Sequence, residues 1–309
     1  MNAATTPVSP IIVLGALRTG TSVVAQMVHR WGAYAGEPEE LTAGNEHNPQ
    51  GYWEYKPIWD LLVELGDFAQ GVNWWDPAFQ TRVKDKLSVP HARAKAQALV
   101  AGMASQGKPW MWKDPALSLY LPFWTEIWPD PTYVITVRNP YDTAHSLQRF
   151  IMPPKLEGKT TFVAGNLLRW QYMLRLILEH TEAVASKIFI AYEELLQAPR
   201  QQAQRLKTFL DRRYGAGGDD PAQLESMAQV VTPGLWRNRS QQSFAQVDVA
   251  TKEQKALYHF LVNKVSDARA RFDPEAYPMT PGWLEFVSNE EALIAAYAAA
   301  TEPTIHQEQ

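Results

Sequence analysis

A chain of 309 residues, 46% hydrophobic and 20% charged, is too apolar to be disordered and long enough for one large α/β domain or two small ones. Without cysteine it has no disulfide, zinc thiolate, iron–sulfur cluster or thiol nucleophile. A net charge of −4 argues against bulk nucleic-acid binding, which needs a basic surface.

The charge is uneven along the chain. Residues 32–68 hold eight acids against Lys56 alone, and residues 135–213 hold twelve Lys/Arg against seven Asp/Glu. Such a pair of segments suits a site that binds an anion and also needs a carboxylate. Met1 to Pro10 carries no Lys or Arg, and the apolar run Ile11–Leu17 is too short for a signal segment or a bilayer span. The expectation is a cytoplasmic protein with no membrane span.

In chain order, Pro10–Gly15 reads as a buried strand, and Val23, Val24, Met27 and Trp31 keep helical spacing up to Gly32. Residues 33–56 read as loop, and Pro57 opens a helix running to about Ala69. A helix over Ala92–Ser105, a strand at Trp110–Trp112 and a helix over Leu117–Trp128 follow. Thr132–Val137 is the clearest strand, then come helices over Tyr141–Phe150 and Phe162–Ser186, a strand at Lys187–Tyr192 and a helix over Arg200–Leu210. Gly215–Asp220 reads as a loop, Thr251–Arg271 and Asn289–Ala300 as helices, and 301–309 as a frayed tail. Strands that alternate with helices imply a single α/β domain over 1–309: a core at about 10–211 with a central parallel sheet flanked by helices, and a C-terminal helical portion at about 215–300. Ligands in such sheets bind at the carboxyl ends of the strands.

The first strand runs into Gly15-Ala-Leu-Arg18-Thr19-Gly20-Thr21-Ser22. This fits the phosphate-loop pattern, except that Thr21 stands where the pattern has Lys. Glycines and the following helix N-terminus turn backbone N–H groups toward an anion, and Arg18 supplies the charge the missing Lys would have supplied. No strand ends in an aspartate placed to help hold magnesium, so a phosphate or sulfate bound without metal is expected. Arg138 ends the strand Thr132–Val137, and Ser146 lies one or two turns into the next helix. The two could converge on a second anion.

Together, Arg18-Thr19-Gly20-Thr21-Ser22, Arg138-Asn139-Pro140…Ser146 and Tyr192-Glu193-Glu194-Leu195 resemble the sulfotransferases that use 3′-phosphoadenosine 5′-phosphosulfate (PAPS), over roughly residues 10–211. The resemblance implies the P-loop nucleoside-kinase-like sulfotransferase fold and PAPS as sulfuryl donor. It also implies 3′-phosphoadenosine 5′-phosphate (PAP) as product, no metal and a hydroxyl-bearing acceptor. It places the 5′-phosphosulfate on Arg18, Thr19, Gly20, Thr21 and Ser22, and the 3′-phosphate on Arg138 and Ser146, with Tyr192 beside them. Lys113-Asp114-Pro115 is similar to an element of the tyrosylprotein and bacterial members, whose Lys stabilises the leaving oxygen.

The histidine base of the animal cytosolic branch would stand at Pro115, so the base is sought among carboxylates. Gly36-Glu37-Pro38-Glu39-Glu40 is similar to a trehalose-type element that points to Glu40, whereas a fixed distance from Arg18 points to Glu39. Glu54, in the aromatic turn Tyr52-Trp53-Glu54, is the rival, and the order of preference is Glu40, Glu54, Glu39; His47 is weaker still. Trp53, Trp59, Trp74, Trp75, Trp110 and Trp112 could line an acceptor pocket or fill the core. The competing functions are a Mg-dependent P-loop kinase using ATP and a non-catalytic anion-binding protein on the same fold.

Overall fold

The computed structural model describes residues 8–45, 48–66, 77–86, 89–151, 160–216, 218, 220–232, 234, 240, 242–290 and 292. Four strands form one parallel sheet: β1 (Pro10–Leu14), β2 (Trp110–Lys113), β3 (Thr132–Val137) and β4 (Lys187–Ala191), in the spatial order β2-β1-β3-β4. Nearly every strand residue is buried, as expected of a parallel sheet covered on both faces.

The period-two alternation of β1 divides the core. Ile12 and Leu14 pack with Trp112, Tyr133 and Ile135 into one layer, under α2 (Lys56–Gly66), α3 (Pro77–Asp85), α4 (Pro90–Ala104), α5 (Leu121–Trp124), α7 (Thr160–Thr181) and α11 (Lys252–Ser266). Ile11 and Val13 face the other layer with Met111, Val134 and Ile190, under α1 (Thr21–Trp31), α8 (Tyr192–Gln197), α9 (Pro199–Tyr214) and α10 (Pro221–Gln229). A third cluster joins Ala144 on α6 (Pro140–Ile151) to Val163 and Leu167 on α7 and to Phe244 and Val247. The C-terminal portion belongs to the same core: Leu257, Phe260, Leu261 and Val265 of α11 lie in the first layer.

From β1 the chain moves to β2 on one side, and from β3 it moves to β4 on the other. The crevice of the sheet therefore opens between the carboxyl ends of β1 and β3, where the phosphate loop and Arg138 emerge.

Some elements depart from their sequence expectation. Leu117–Trp128 is not one helix: a 3-10 stretch Pro115–Tyr120 leads into the short α5, because Pro122 lacks the N–H a continuous helix would need. α7 stops at Thr181, where Lys187 Nζ donates to the carbonyls of Thr181 and Glu182 at 2.8 and 2.7 Å. Tyr192 is the first residue of α8, beyond β4. α3 and α10 were not anticipated, although Asp220, whose side chain accepts from Ala222 N and Gln223 N, with Pro221 after it, is a legible helix start. Residues 293–300 of the last expected helix, the tail, Trp74, Trp75 and His47 lie outside the described residues. Among the described residues no helix is long and apolar enough to cross a membrane.

Candidate active site

The loop after β1 is held from below. Thr19 is fully buried; its hydroxyl donates to Ala16 O at 2.6 Å and lies 2.8 Å from Thr136 Oγ1. Gly15 leaves room for this pair, since a Cβ there would stand 2.1 Å from Thr136 Oγ1. Thr19 thus braces the loop and does not line the cleft above it. Arg18 has φ 66, a left-handed conformation that costs a non-glycine residue ~1 kcal/mol. Helix α1 starts from Gly20 at φ 93, with no side chain capping it and no acid in its first turn, so its positive end is left for an anion.

Around that end three basic strand-end or loop residues gather with two hydroxyls. Arg18 Nε donates to Ser146 Oγ at 3.2 Å, and Arg138 Nη1 donates to Arg18 O at 2.9 Å. The Arg138 guanidinium lies 4.6 Å above the Tyr192 ring, which itself covers Gly20: a Cβ on Gly20 would stand 2.3 Å from Tyr192 Cδ2. Glu193 fixes the next turn by accepting from Asn139 N at 2.8 Å, and burial raises its pKa. The second hydroxyl, Ser22, faces the same cleft.

Lys113, at the end of β2, is 1% exposed and pairs with Glu54 at 2.5 Å between Nζ and Oε1. Asp114 follows it, accepts from Ala116 N at 2.8 Å and begins the 3-10 stretch. Burial, then the nearby Glu54 carboxylate, push the Asp114 carboxyl up to about 7, against the opposing pull of Lys113.

These residues share one cleft of about 320 Å³, lined by Arg18, Gly20, Thr21, Ser22, Lys113, Arg138, Ser146 and Tyr192 together with Glu54. Of the three carboxylates considered from sequence, Glu54 alone lines it. Glu40 turns back on its own 3-10 turn, Pro38–Glu40, where its Oε2 accepts from Glu37 N at 2.9 Å, and Tyr55 OH is 3.5 Å from its Oε1. Glu39 is exposed, with its carbonyl held by Lys56 Nζ at 2.7 Å.

Residues 33–56 form more than a loop. Thr42 N donates to Glu54 O at 2.8 Å and Tyr52 N to Thr42 O at 3.3 Å, so residues 41–45 and 48–55 pair as an irregular hairpin that brings Glu54 to Lys113. Trp110 and Trp112 fill the core, Trp53 meets the His29 ring at a tilt of 40°, and Trp59, 41% exposed, lies on the cleft wall with Leu119 and Met173. Sequence reasoning missed Gln26 and Asn48, both on the wall; Gln26 stands one turn after Ser22 on α1, a spacing that places both on one helix face. Among the described residues no group of three or more His, Asp or Glu is placed to share a metal ion.

The chain is similar to known proteins along the length that carries this cleft. The model of the sulfotransferase family matches residues 10–215. A putative protein-tyrosine sulfotransferase of Caenorhabditis briggsae is 27% identical over 104 residues, which span 33% of this chain and 36% of that protein. Among solved structures, the sulfotransferase domain from the Synechococcus PCC 7002 olefin synthase is 16% identical with a TM-score of 0.44, covering 94% of this chain and 98% of that one. Sulfotransferase STF9 from Mycobacterium avium is 15% identical with a TM-score of 0.46, covering 87% and 78%.

Proposed function

The chain belongs to the sulfotransferase family, and on that premise we propose that it moves a sulfuryl group from PAPS to a hydroxyl of a small-molecule or glycan acceptor. The observation that carries this reading is the Lys113–Glu54 pair, 2.5 Å apart, in the same cleft as the uncapped helix end and the Arg138–Ser146 group. A carboxylate and a cation thus stand beside a helix N-terminus and a joined group of Arg18, Arg138 and Ser146, all of which suit an anionic ligand.

The residues fit such a donor. Arg18 and the backbone N–H groups at the start of α1 bind the 5′-phosphosulfate. Arg138, stacked on Tyr192, and Ser146 bind the 3′-phosphate that distinguishes PAPS from other adenylates. Bound there, PAPS supplies an activated sulfuryl group whose bond to the phosphate oxygen breaks as the acceptor oxygen bonds to sulfur. Glu54 takes the proton of the attacking hydroxyl. Lys113 has three donors and gives one to Glu54; the others are available for the bridging oxygen, where negative charge builds. Glu54 is preferred to Glu40 and Glu39 as the base because its carboxylate lines the cleft.

Thermal-shift titration tests the donor: PAP should stabilise the protein well beyond AMP. Equal shifts would remove the 3′-phosphate reading. Transfer from labelled PAPS across an acceptor panel then separates an enzyme from an anion-binding protein, and magnesium-dependent ATP turnover would favour the kinase alternative.

A further inference from the structure

The hairpin formed by 41–45 and 48–55 touches the phosphate loop through Asn48. One side-chain atom of Asn48 lies 2.7 Å from Gly51 O and 3.2 Å from Ser22 Oγ. A carbonyl only accepts, so the atom beside Gly51 O is the amide nitrogen, and its two hydrogens are shared between Gly51 O and Ser22 Oγ. Ser22 is therefore the acceptor in that bond. Its hydroxyl has a single proton, and among the described residues no hydrogen bond to a protein acceptor uses it. Ser22 is the second residue of α1 and faces the cleft.

Asn48 is itself held in place. Its backbone N–H donates to Asn45 O and Asn45 Oδ1, both at 3.1 Å, and Asn45 Oδ1 also accepts from Tyr52 OH at 2.8 Å. Pro49 follows and restricts its backbone. We infer that Asn48 is a positioning residue that, by donating to Ser22 Oγ, turns the Ser22 proton toward the phosphosulfate of the donor. The inference rests on the proposed PAPS site. It also ties that site to the base, because the hairpin that carries Asn48 carries Glu54.

A double-mutant cycle on PAP affinity tests this, with melting curves of each unliganded protein to verify folding. Asn48→Ala is expected to weaken PAP binding about three- to tenfold when Ser22 is present. In a Ser22→Ala background the same change should cost less than about twofold, because the proton it orients is gone. Asn48→Asp keeps the shape but only accepts, so it draws the Ser22 proton to itself and should weaken binding further than Asn48→Ala. Equal losses in both backgrounds, or full affinity in Asn48→Asp, overturn the role of Asn48 and leave the PAPS site standing. An unsubstituted protein that binds PAP no better than AMP overturns both.

Discussion

Glu54 and Lys113 meet at 2.5 Å although 59 residues of chain separate them. One comes from an irregular hairpin before α2 and the other from the end of an edge strand. The Lys113 side chain is 1% exposed, and Glu54, partly exposed on the cleft wall, is its counter-charge. A buried pair of this kind is weak as a stabilising device but costly to break, since removing one partner strands the other's charge.

Loss of either partner should therefore abolish turnover by different routes. If Glu54 is the base, Glu54→Gln should lower kcat by about 10²–10⁴-fold. If Lys113 meets the leaving oxygen, Lys113→Ala should cost about 10²–10³-fold. Glu40→Gln should stay within about threefold of the parent in turnover and lose little stability, because a glutamine oxygen can still accept from Glu37 N. Single-turnover transfer from labelled PAPS measures the first two, and thermal melts the third. A Glu40→Gln protein as inactive as Glu54→Gln would transfer the base role to Glu40.

Arg138→Ala should discriminate between nucleotides. If its guanidinium meets the 3′-phosphate, PAP affinity falls by at least about tenfold, the scale of a charge-assisted hydrogen bond, while AMP affinity changes little. Calorimetric titration with both ligands reads the difference directly. Equal losses for the two would mean that Arg138 acts only by holding the Arg18 carbonyl.

Gly20→Ala should disrupt the same region through the backbone. The new methyl would stand 2.3 Å from the Tyr192 ring, at a φ of 93 that an alanine rarely adopts. Tyr192 must then leave its place under Arg138, so PAP binding weakens at least about tenfold and stability falls by ~1–3 kcal/mol. Tyr192→Ala combined with Gly20→Ala should be less harmful than Gly20→Ala alone, because the ring that is struck has gone. Calorimetry and melting curves on the three proteins check the order.

Asp114 gives a pH dependence whose sign follows from its raised pKa. Unfolded, the carboxyl titrates near about 4; folded, it titrates at about 7. Between those values the folded state holds a proton that the unfolded state has released, so this group's contribution to stability is full below pH ~4 and is lost as pH rises through ~7. Asp114→Asn keeps the shape and cannot ionise. The melting temperature of the parent should fall relative to Asp114→Asn between pH 5 and 8, and parallel curves would show that Asp114 titrates normally.

Most of the scaffold was legible because it rests on short-range pattern. The apolar runs of β1, β2 and β3, the glycines of the loop at 15–22 and the stop at Gly32 appear where hydrophobic period and backbone freedom place them. Arg18, Lys113 and Arg138 were legible too, since each ends a strand or lies in the loop after one. The helices at Pro77–Asp85 and Pro221–Gln229 were passed over. The caps that signal the second, Asp220 and Pro221, lie at the edge of the glycine-rich segment that reads as a loop. Thr19, grouped from sequence with the candidate ligand-binding residues of the loop, has its hydroxyl on Ala16 O and beside Thr136 Oγ1.

The sequence by itself determined the parallel α/β plan, the glycine-rich loop after β1 and the cations around it, because hydrophobic period, turn chemistry and strand ends are local. Only the tertiary structure decided which carboxylate faces those cations. Glu40, Glu39 and Glu54 lie within fifteen residues of one another in an acidic stretch, and no local rule separates them. Their separation comes from the pairing of residues 41–45 with 48–55, set by contacts with α1 and β2, which returns Glu54 to Lys113 and leaves Glu40 capping its own turn.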